Sequence, residues 1–597
     1  MIDFSRRGRA LLLSITALAL ASCGGTPDRD EPVETLAQET ENASVESINL
    51  DLPPSVYRAA FNRIESSLAR FDWMQAVAEL DALPQELFTP EDSAYSDYLR
   101  ARGAFIQGDT ERALSLLQRA REISVNQGLQ YRLNSFEHFM LSIGGQSVPA
   151  ARIAAAMLSW LPADHAAGWK RKTWASLQRA TPEALANELT VASDPQWIAW
   201  LQLAADSAAG DDSAAAVMRW LNRYPDHIAA NPLPGGLGAE IASAGRTGRV
   251  ALLLPLSGRL APAGTAVLEG FLAAHYAGEA RGVAQDELVI LDTARYPSAS
   301  QAYDEAVRLG AGAVVGPLSK DAVAELATRL ERPVPILALN RIEQVLPAAG
   351  GALVQMSLSP EDEAATLADA AFGRGARQAL VIRPAGSWGD TAEQALRERW
   401  AQLGGKVISG SSYNERSEHS ASVQAALGIE ASEQRARRVR DMLATEVEFT
   451  PRRRSDIDVV FLLTRNSADG RSIKPLLSFY YAGNIPVFAL SGINSGRFDS
   501  ANRDLAGTFL VEMPWLLGAN PELRIAIASG DTGSDSYTRL NALGADAHRV
   551  QSGFARLQTG PDALYRGATG LLTLDPELRI RRQLTLAKFD GEVARVE

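Results

Sequence analysis

Two patterns of apolar residues divide the chain. From about Leu52 to Ala244 they recur at helical spacing in segments rich in Ala, Leu, Arg, Glu and Gln, with no period-two strand among them. "FDWMQAVAELDAL" (Phe71 to Leu83) and "GDTERALSLLQRAREI" (Gly108 to Ile123) each set a turn residue before an amphipathic helix, with Ala76 and Ala113 37 residues apart. "VPAARIAAAMLSWLP" (Val148 to Pro162) places Ala150 another 37 residues on, a period near that of tetratricopeptide repeats. "WLPADHAA" (Trp160 to Ala167) and "RYPDHIAA" (Arg223 to Ala230) repeat a helix end closed by Pro and Asp-His. The pattern predicts an all-α solenoid over residues 51–245, an architecture that presents an extended protein-binding surface.

"NPLPGGLG" (Asn231 to Gly238) and "SAGRTG" (Ser243 to Gly248) punctuate the chain, and the pattern then changes. Continuous apolar runs alternate with amphipathic segments, at residues 250–256, 288–293, 312–318, 333–340, 379–384, 458–464, 486–491 and 507–514. Such runs are strands covered on both faces, which predicts doubly wound parallel sheets over 249–597. "VQMSLSPEDEA" (Val354 to Ala364) interrupts them. Two α/β lobes follow, with a crossover near 357–360 and returns near 492–515 and 560–570.

A chain of 597 residues corresponds to roughly three or four domain-sized units. Its first residues have the layout of a secretory signal: Arg6, Arg7 and Arg9, then an apolar run from Ala10 to Ala21. Leu20-Ala21-Ser22-Cys23 matches the bacterial lipobox, so residues 1–22 are expected to be removed and Cys23, the single cysteine, to carry the lipid. A diacylglycerol and an N-acyl chain together anchor stably. Gly24 and Gly25, in place of an inner-membrane-retaining aspartate, point to the outer membrane. Residues 23–50 are polar and acidic and read as a tether. Loss of Arg6, Arg7, Arg9 and Asp3 moves the net charge from −12 to −14, which excludes a nucleic-acid binder and leaves a protein or small-molecule partner.

In doubly wound sheets a ligand crevice lies beyond the carboxyl ends of the strands. The candidate lining is Ser257, Gly258, Gly316, Ser319, Asn340 and Arg341 in the first lobe and Ser387, Thr464 and Ser491 in the second. All are also ordinary turn and cap residues, so the crevice can equally be empty. Enzyme signatures are scarce: GxxxxGK[ST], HExxH and GxSxG do not occur, and the six histidines lack metal-ligand spacing. "DTGS" at Asp531 to Ser534 and "LDTA" at Leu291 to Ala294 resemble an aspartic-protease phrase, but their contexts differ where paired carboxylates need symmetry. No cofactor or metal is expected. The cluster Arg435, Arg437, Arg438, Arg440, Arg452, Arg453 and Arg454 reads either as a solvated face, given the interleaved glutamates, or as a contact for an acidic partner.

"VALLLPLSGRLAPAGTAVLEGF" (Val250 to Phe271), "GPLSKDAVAELA" (Gly316 to Ala327), "RRRSDIDVVFLLTRNSADGRSIKPLLSFYYAGNIPVFALS" (Arg452 to Ser491), "NRDLAGTFLVEMPW" (Asn502 to Trp515) and "GATGLLTLDPELRIRRQLTLAKFDGEV" (Gly567 to Val593) together resemble the LpoA family. These are outer-membrane lipoproteins that activate a class A penicillin-binding protein. The resemblance implies a tetratricopeptide-like N-terminal domain and a C-terminal domain of the type I periplasmic-binding-protein fold. It also implies a non-enzymatic regulator of peptidoglycan synthesis, whose partners are the synthase, the outer membrane and the peptidoglycan itself. "LPLSG" departs from the Ser/Thr run of related amino-acid receptors, the alternative reading.

Overall fold

The computed structural model describes residues 50–597 apart from 162, 209–212, 344–348, 444–447, 529–536 and 561. Cys23, the signal and tether segments, and Asp531 to Ser534 lie outside the described residues. Among the described residues, no helix is long and apolar enough to cross a membrane.

Helices from Arg58–Ala69 to Leu237–Ser243 form the N-terminal half. The 37-residue period has a structural basis. Helices Trp73–Asp81, Thr110–Ile123 and Ser147–Met157 begin one period apart, and Ala76, Ala113 and Ala150 are fully buried at the same position of each. A small residue there lets neighbouring helices approach. Asp72 and Asp109 cap the first two, accepting from the amides of Gln75 and Arg112. Two residues ahead of each start the backbone has positive φ: Phe71 at 59°, Gly108 at 92° and Gly145 at 73°. Phe71 holds a conformation that glycine adopts without strain.

The C-terminal half contains β1 (Arg249–Leu254), β2 (Glu287–Asp292), β3 (Ala313–Val315), β4 (Glu331–Arg332), β5 (Ile336–Ala338), β6 (Ala349–Gly350), β7 (Leu353–Met356), β8 (Gln378–Pro384) and β9 (Lys406–Tyr413). It continues through β10 (Val459–Leu462), β11 (Val487–Ala489), β12 (Phe509–Glu512), β13 (Tyr565–Arg566), β14 (Leu571–Leu574), β15 (Arg579–Gln583), β16 (Thr585–Phe589) and β17 (Ala594–Val596). The first lobe's sheet has the order β13-β14-β15-β7-β5-β3-β1-β2, and the second's β17-β16-β12-β11-β10-β8-β9. β1 is parallel to β2 and β3, and β10 to β8 and β11; β13, β14, β16 and β17 make antiparallel edges. β1 and β10 are buried along almost their whole length, which accounts for their continuous apolar sequence.

The chain leaves the first lobe after β7, and helix Pro360–Gly373 packs with the second. It returns after β12, where helix Thr538–Ser552 packs on Ala261–Ala280 of the first lobe. The last crossing is at Leu584, between β15 and β16, and not near 560–570: residues 565–583 extend the first sheet.

The helical array and the second lobe share one hydrophobic core. Phe61, Tyr95, Phe105 and Phe136 are continuous with Phe372, Trp400, Phe461 and Leu584. Arg377, just ahead of β8, crosses that boundary. Its guanidinium lies 3.6 Å over the Phe372 ring and donates to the carbonyls of Phe105 and Ile106 at the end of helix Pro90–Ile106. Burial pushes this arginine down to about 9. The repeat turns dock beside it. A Cβ at Gly404 would meet the Phe71 ring, one at Gly375 would meet the Gly108 carbonyl, and one at Gly373 would overlap the carbonyl of Ile143.

Candidate functional site

The first-lobe candidates occupy loops after the strands, and their polar groups serve those loops. Ser257 donates to Asp292 at 2.6 Å, and Asp292 also accepts from the amides of Leu256 and Ala294. Burial would raise the Asp292 carboxyl, but these hydrogen bonds hold it below the usual range. Gly258 has φ 73° in its turn, and Gly316 has φ 106° with a Cβ position that would overlap the Leu253 carbonyl. Ser319 caps helix Lys320–Ala327, and Asn340 donates to Leu318 O at 2.8 Å.

Arg341 differs, because it reaches across the lobes. It donates to Ser359 Oγ at 3.0 Å and pairs with Asp362, in the first turn of helix Pro360–Gly373, at 3.3 Å. Arg581 and Arg582 of β15 join it on the same carboxylate at 3.4 and 3.8 Å. Deeper in, Glu363 accepts from the Ser491 amide at 3.0 Å and lies 4.0 Å from Arg582. Burial pushes the Glu363 carboxyl above its ordinary range, with Arg582 and Arg539 opposing. Arg539, on helix Thr538–Ser552 of the first lobe, donates to the carbonyls of Ser491 and Asn494 in the second. Its partner there is Glu512, which is wholly buried. Burial would lower Arg539, and Glu512 and Glu363 more than offset it.

The structure thus brings Arg341 and Ser491 into one interlobe network and leaves Ser257, Gly258, Ser319 and Asn340 in local roles. Ser387 is exposed and begins helix Ser387–Gln402 behind Gly386, so it caps nothing by its side chain. Thr464 is fully buried, and its hydroxyl has no partner among the described residues. Asp362, Glu363, Glu512, Arg539, Arg581 and Arg582 carry the network and were missed in the sequence. Glu512 gave the one available signal, a carboxylate inside the apolar run "FLVEMP".

The arginine cluster lies at the opposite end of the second lobe, before β10 and β11. Arg453 donates to the Tyr481 carbonyl at 2.7 Å and Asn484 at 3.2 Å. Arg454 pairs with Asp456 at 2.7 Å and donates to the Ile408 carbonyl. These two pin loops together, whereas the side chain of Arg452 is exposed. Helix Ile429–Leu443 beside them buries only Ile429 and Ser432. Arg435, Arg437 and Arg438 are exposed on it, as are Val439, Met442 and Leu443. Phe479 and Tyr481 next to Arg453 are 72% and 59% exposed, and Tyr481 has φ 64°. Among the described residues, no group of three His, Cys, Asp or Glu could hold a metal ion.

A repeat array fused by a common core to two doubly wound lobes, with three crossings between them, defines a helical domain joined to a domain of type I periplasmic-binding-protein architecture. The chain belongs to the LppC putative lipoprotein family, whose model matches residues 64–591. It is 26% identical over 613 residues to the penicillin-binding protein activator LpoA of Vibrio antiquarius, covering 98% of this chain and 99% of that protein. The protein of the same name from Photobacterium profundum is also 26% identical, with 99% and 98% covered. The crystal structure of full-length LpoA from Haemophilus influenzae aligns with a TM-score of 0.49 at 21% identity, covering 95% of this chain and 99% of that one.

Proposed function

We propose that this protein activates a class A penicillin-binding protein by direct contact, without catalysis of its own, from a lipid anchor on Cys23 in the outer membrane. The observation that carries this reading is the end-to-end match with proteins named penicillin-binding protein activators, which spans both halves of the chain. The continuous core between the helical array and the second lobe supports it, since an activator reaching from one membrane to an enzyme at another needs a stiff body.

The contact surface in this proposal is the far end of the second lobe: Arg452, the exposed arginines of helix Ile429–Leu443, and the aromatic pair Phe479 and Tyr481. Exposed arginines beside aromatic rings have the composition of binding hot spots, and they fit an acidic partner face with an apolar centre. The test is a soluble chain from Gly24 onward mixed with the organism's class A synthase. It should bind and speed peptide cross-linking. Charge reversal at Arg435, Arg438 and Arg452 should slow association about tenfold at low salt, as steering charges do. An absence of both binding and stimulation overturns the function; full stimulation by the reversed variant overturns only the surface.

A further inference from the structure

The helical array and the two lobes border a half-open cavity of about 2290 Å³ where all three meet. Helices Gln127–Ile143 and Ala163–Arg179 form one wall. Helices Pro360–Gly373 and Thr538–Ser552, with the last residues of the chain, form the other. Interfaces that pack for stability alone exclude such voids, and small-molecule sites occupy only about 300–1,000 Å³.

Its charges are not balanced. Arg399 pairs with Asp369 at 2.6 Å, Arg171 with Asp562 at 3.2 Å and Arg374 with Glu597 at 3.7 Å. Lys172, Arg179 and Arg566 also line the cavity, and among the described residues none has a carboxylate within ion-pair distance. The Lys172 ammonium lies 4.2 Å over the Trp169 ring. Arg179 donates to Gln583 Oε1 at 3.2 Å, and Arg566 to the carbonyls of Leu177 and Ala180. Burial pushes Lys172 down to about 8, Arg566 down to about 10 against the attraction of Glu183, and Arg179 down against the more distant Asp369 and Asp562. Gathering cations here with no carboxylate in direct contact works against folding, on a chain of net charge −12 that has carboxylates to spare.

We propose that this cavity binds a multiply carboxylated peptide, whose carboxylates are received by Lys172 at one end and by Arg179 and Arg566 at the other. Lys172 and Arg179 stand two turns apart on one face of their helix, about 10 Å along its axis. That spacing suits separate single charges roughly three residues apart on an extended peptide better than one compact dianion. Ser176, Thr366 and Gln583 on the walls supply donors and acceptors for peptide groups. Because the walls come from the array and both lobes, the ligand ties the three together. This site is independent of the synthase-binding surface.

The test is calorimetric titration of the chain from Gly24 onward with two probes. One is a disaccharide–tetrapeptide released from peptidoglycan. The other is a synthetic peptide of residues 26–47, an acidic stretch of this chain; Leu50, shortly after it, packs beside Tyr131 and Trp169 at the cavity's edge. At least one should bind, about tenfold more weakly when its carboxylates are amidated and about tenfold more weakly to the Lys172→Gln, Arg179→Gln variant. Binding of the first alone assigns a cell-wall source, and binding of the second alone a polypeptide source. Should the double variant fail to fold, Lys172→Gln alone carries the comparison. No binding of either probe near 1 mM, or binding unchanged by these substitutions, overturns the proposal.

Discussion

Arg539 and Glu512 join the two lobes. The guanidinium, on a helix of the first, donates to both carboxylate oxygens of Glu512, at the end of a strand of the second, at 2.7 and 2.9 Å. Glu512 is wholly buried, so Arg539→Ala strands a charge and should cost about 3–5 kcal/mol in urea unfolding. Replacing both, with Arg539→Met and Glu512→Leu, should recover most of that loss. A double variant as unstable as the single one would show that the pair is not what joins these elements.

Gly373→Ala separates helix propensity from docking. Alanine at this last helical position would favour an isolated helix by about 1 kcal/mol, yet its methyl would overlap the carbonyl of Ile143 in the helical array. Because backbone cannot yield as a side chain does, the expected outcome is a net loss of about 1–3 kcal/mol. A raised melting temperature would mean that the array does not seat on this helix as described.

Thr464 tests the receptor alternative. Its buried hydroxyl is unpaired at the end of β10, where a solute receptor would use it on ligand. Thr464→Val deletes an unsatisfied polar group at similar volume and should stabilise the protein by about 1 kcal/mol, with synthase stimulation unchanged. Loss of stimulation or of a bound solute would favour the receptor reading.

His138 sets part of the acid limb of stability. Burial, reinforced by the positive charges of Lys172 and Arg179, pushes its imidazole down to about 3 from 6.5. The folded state therefore holds it neutral. Its contribution is complete above pH 6.5 and is lost as pH falls from there towards 3, by about 1.4 kcal/mol per unit, or about 2 kcal/mol at pH 5. Chemical denaturation of His138→Gln from pH 7 to 5 should show a shallower decline. An unchanged slope would place the acid sensitivity elsewhere, for instance at His227, which burial also lowers.

Periodicity was legible wherever one rule governed a whole segment. Ala76, Ala113 and Ala150 are buried alike because each fills the same contact in a repeat, and β1 and β10 are continuous apolar runs because both faces are covered. β9 and β15 escaped because "KVISGSSY" and "RIRRQ" mix polar with apolar positions, β9 at a sheet edge and β15 with polar residues in the interlobe network. The ion pairs escaped for another reason: Asp362, Arg539 and Arg582 join one network only after two crossings, and no spacing encodes that. Arg453 and Arg454 read as solvated charge or as a contact for an acidic partner, yet both serve backbone carbonyls, which composition cannot reveal.

The shared core between the repeat array and the second lobe makes the protein a ruler rather than a leash. Among the described residues, tension applied near residue 50 meets no slack joint before the second lobe, since Phe105, Phe372 and Arg377 would have to part first. The span from the start of the array to the far end of that lobe is therefore a fixed length, and a partner beyond that reach gains nothing by pulling.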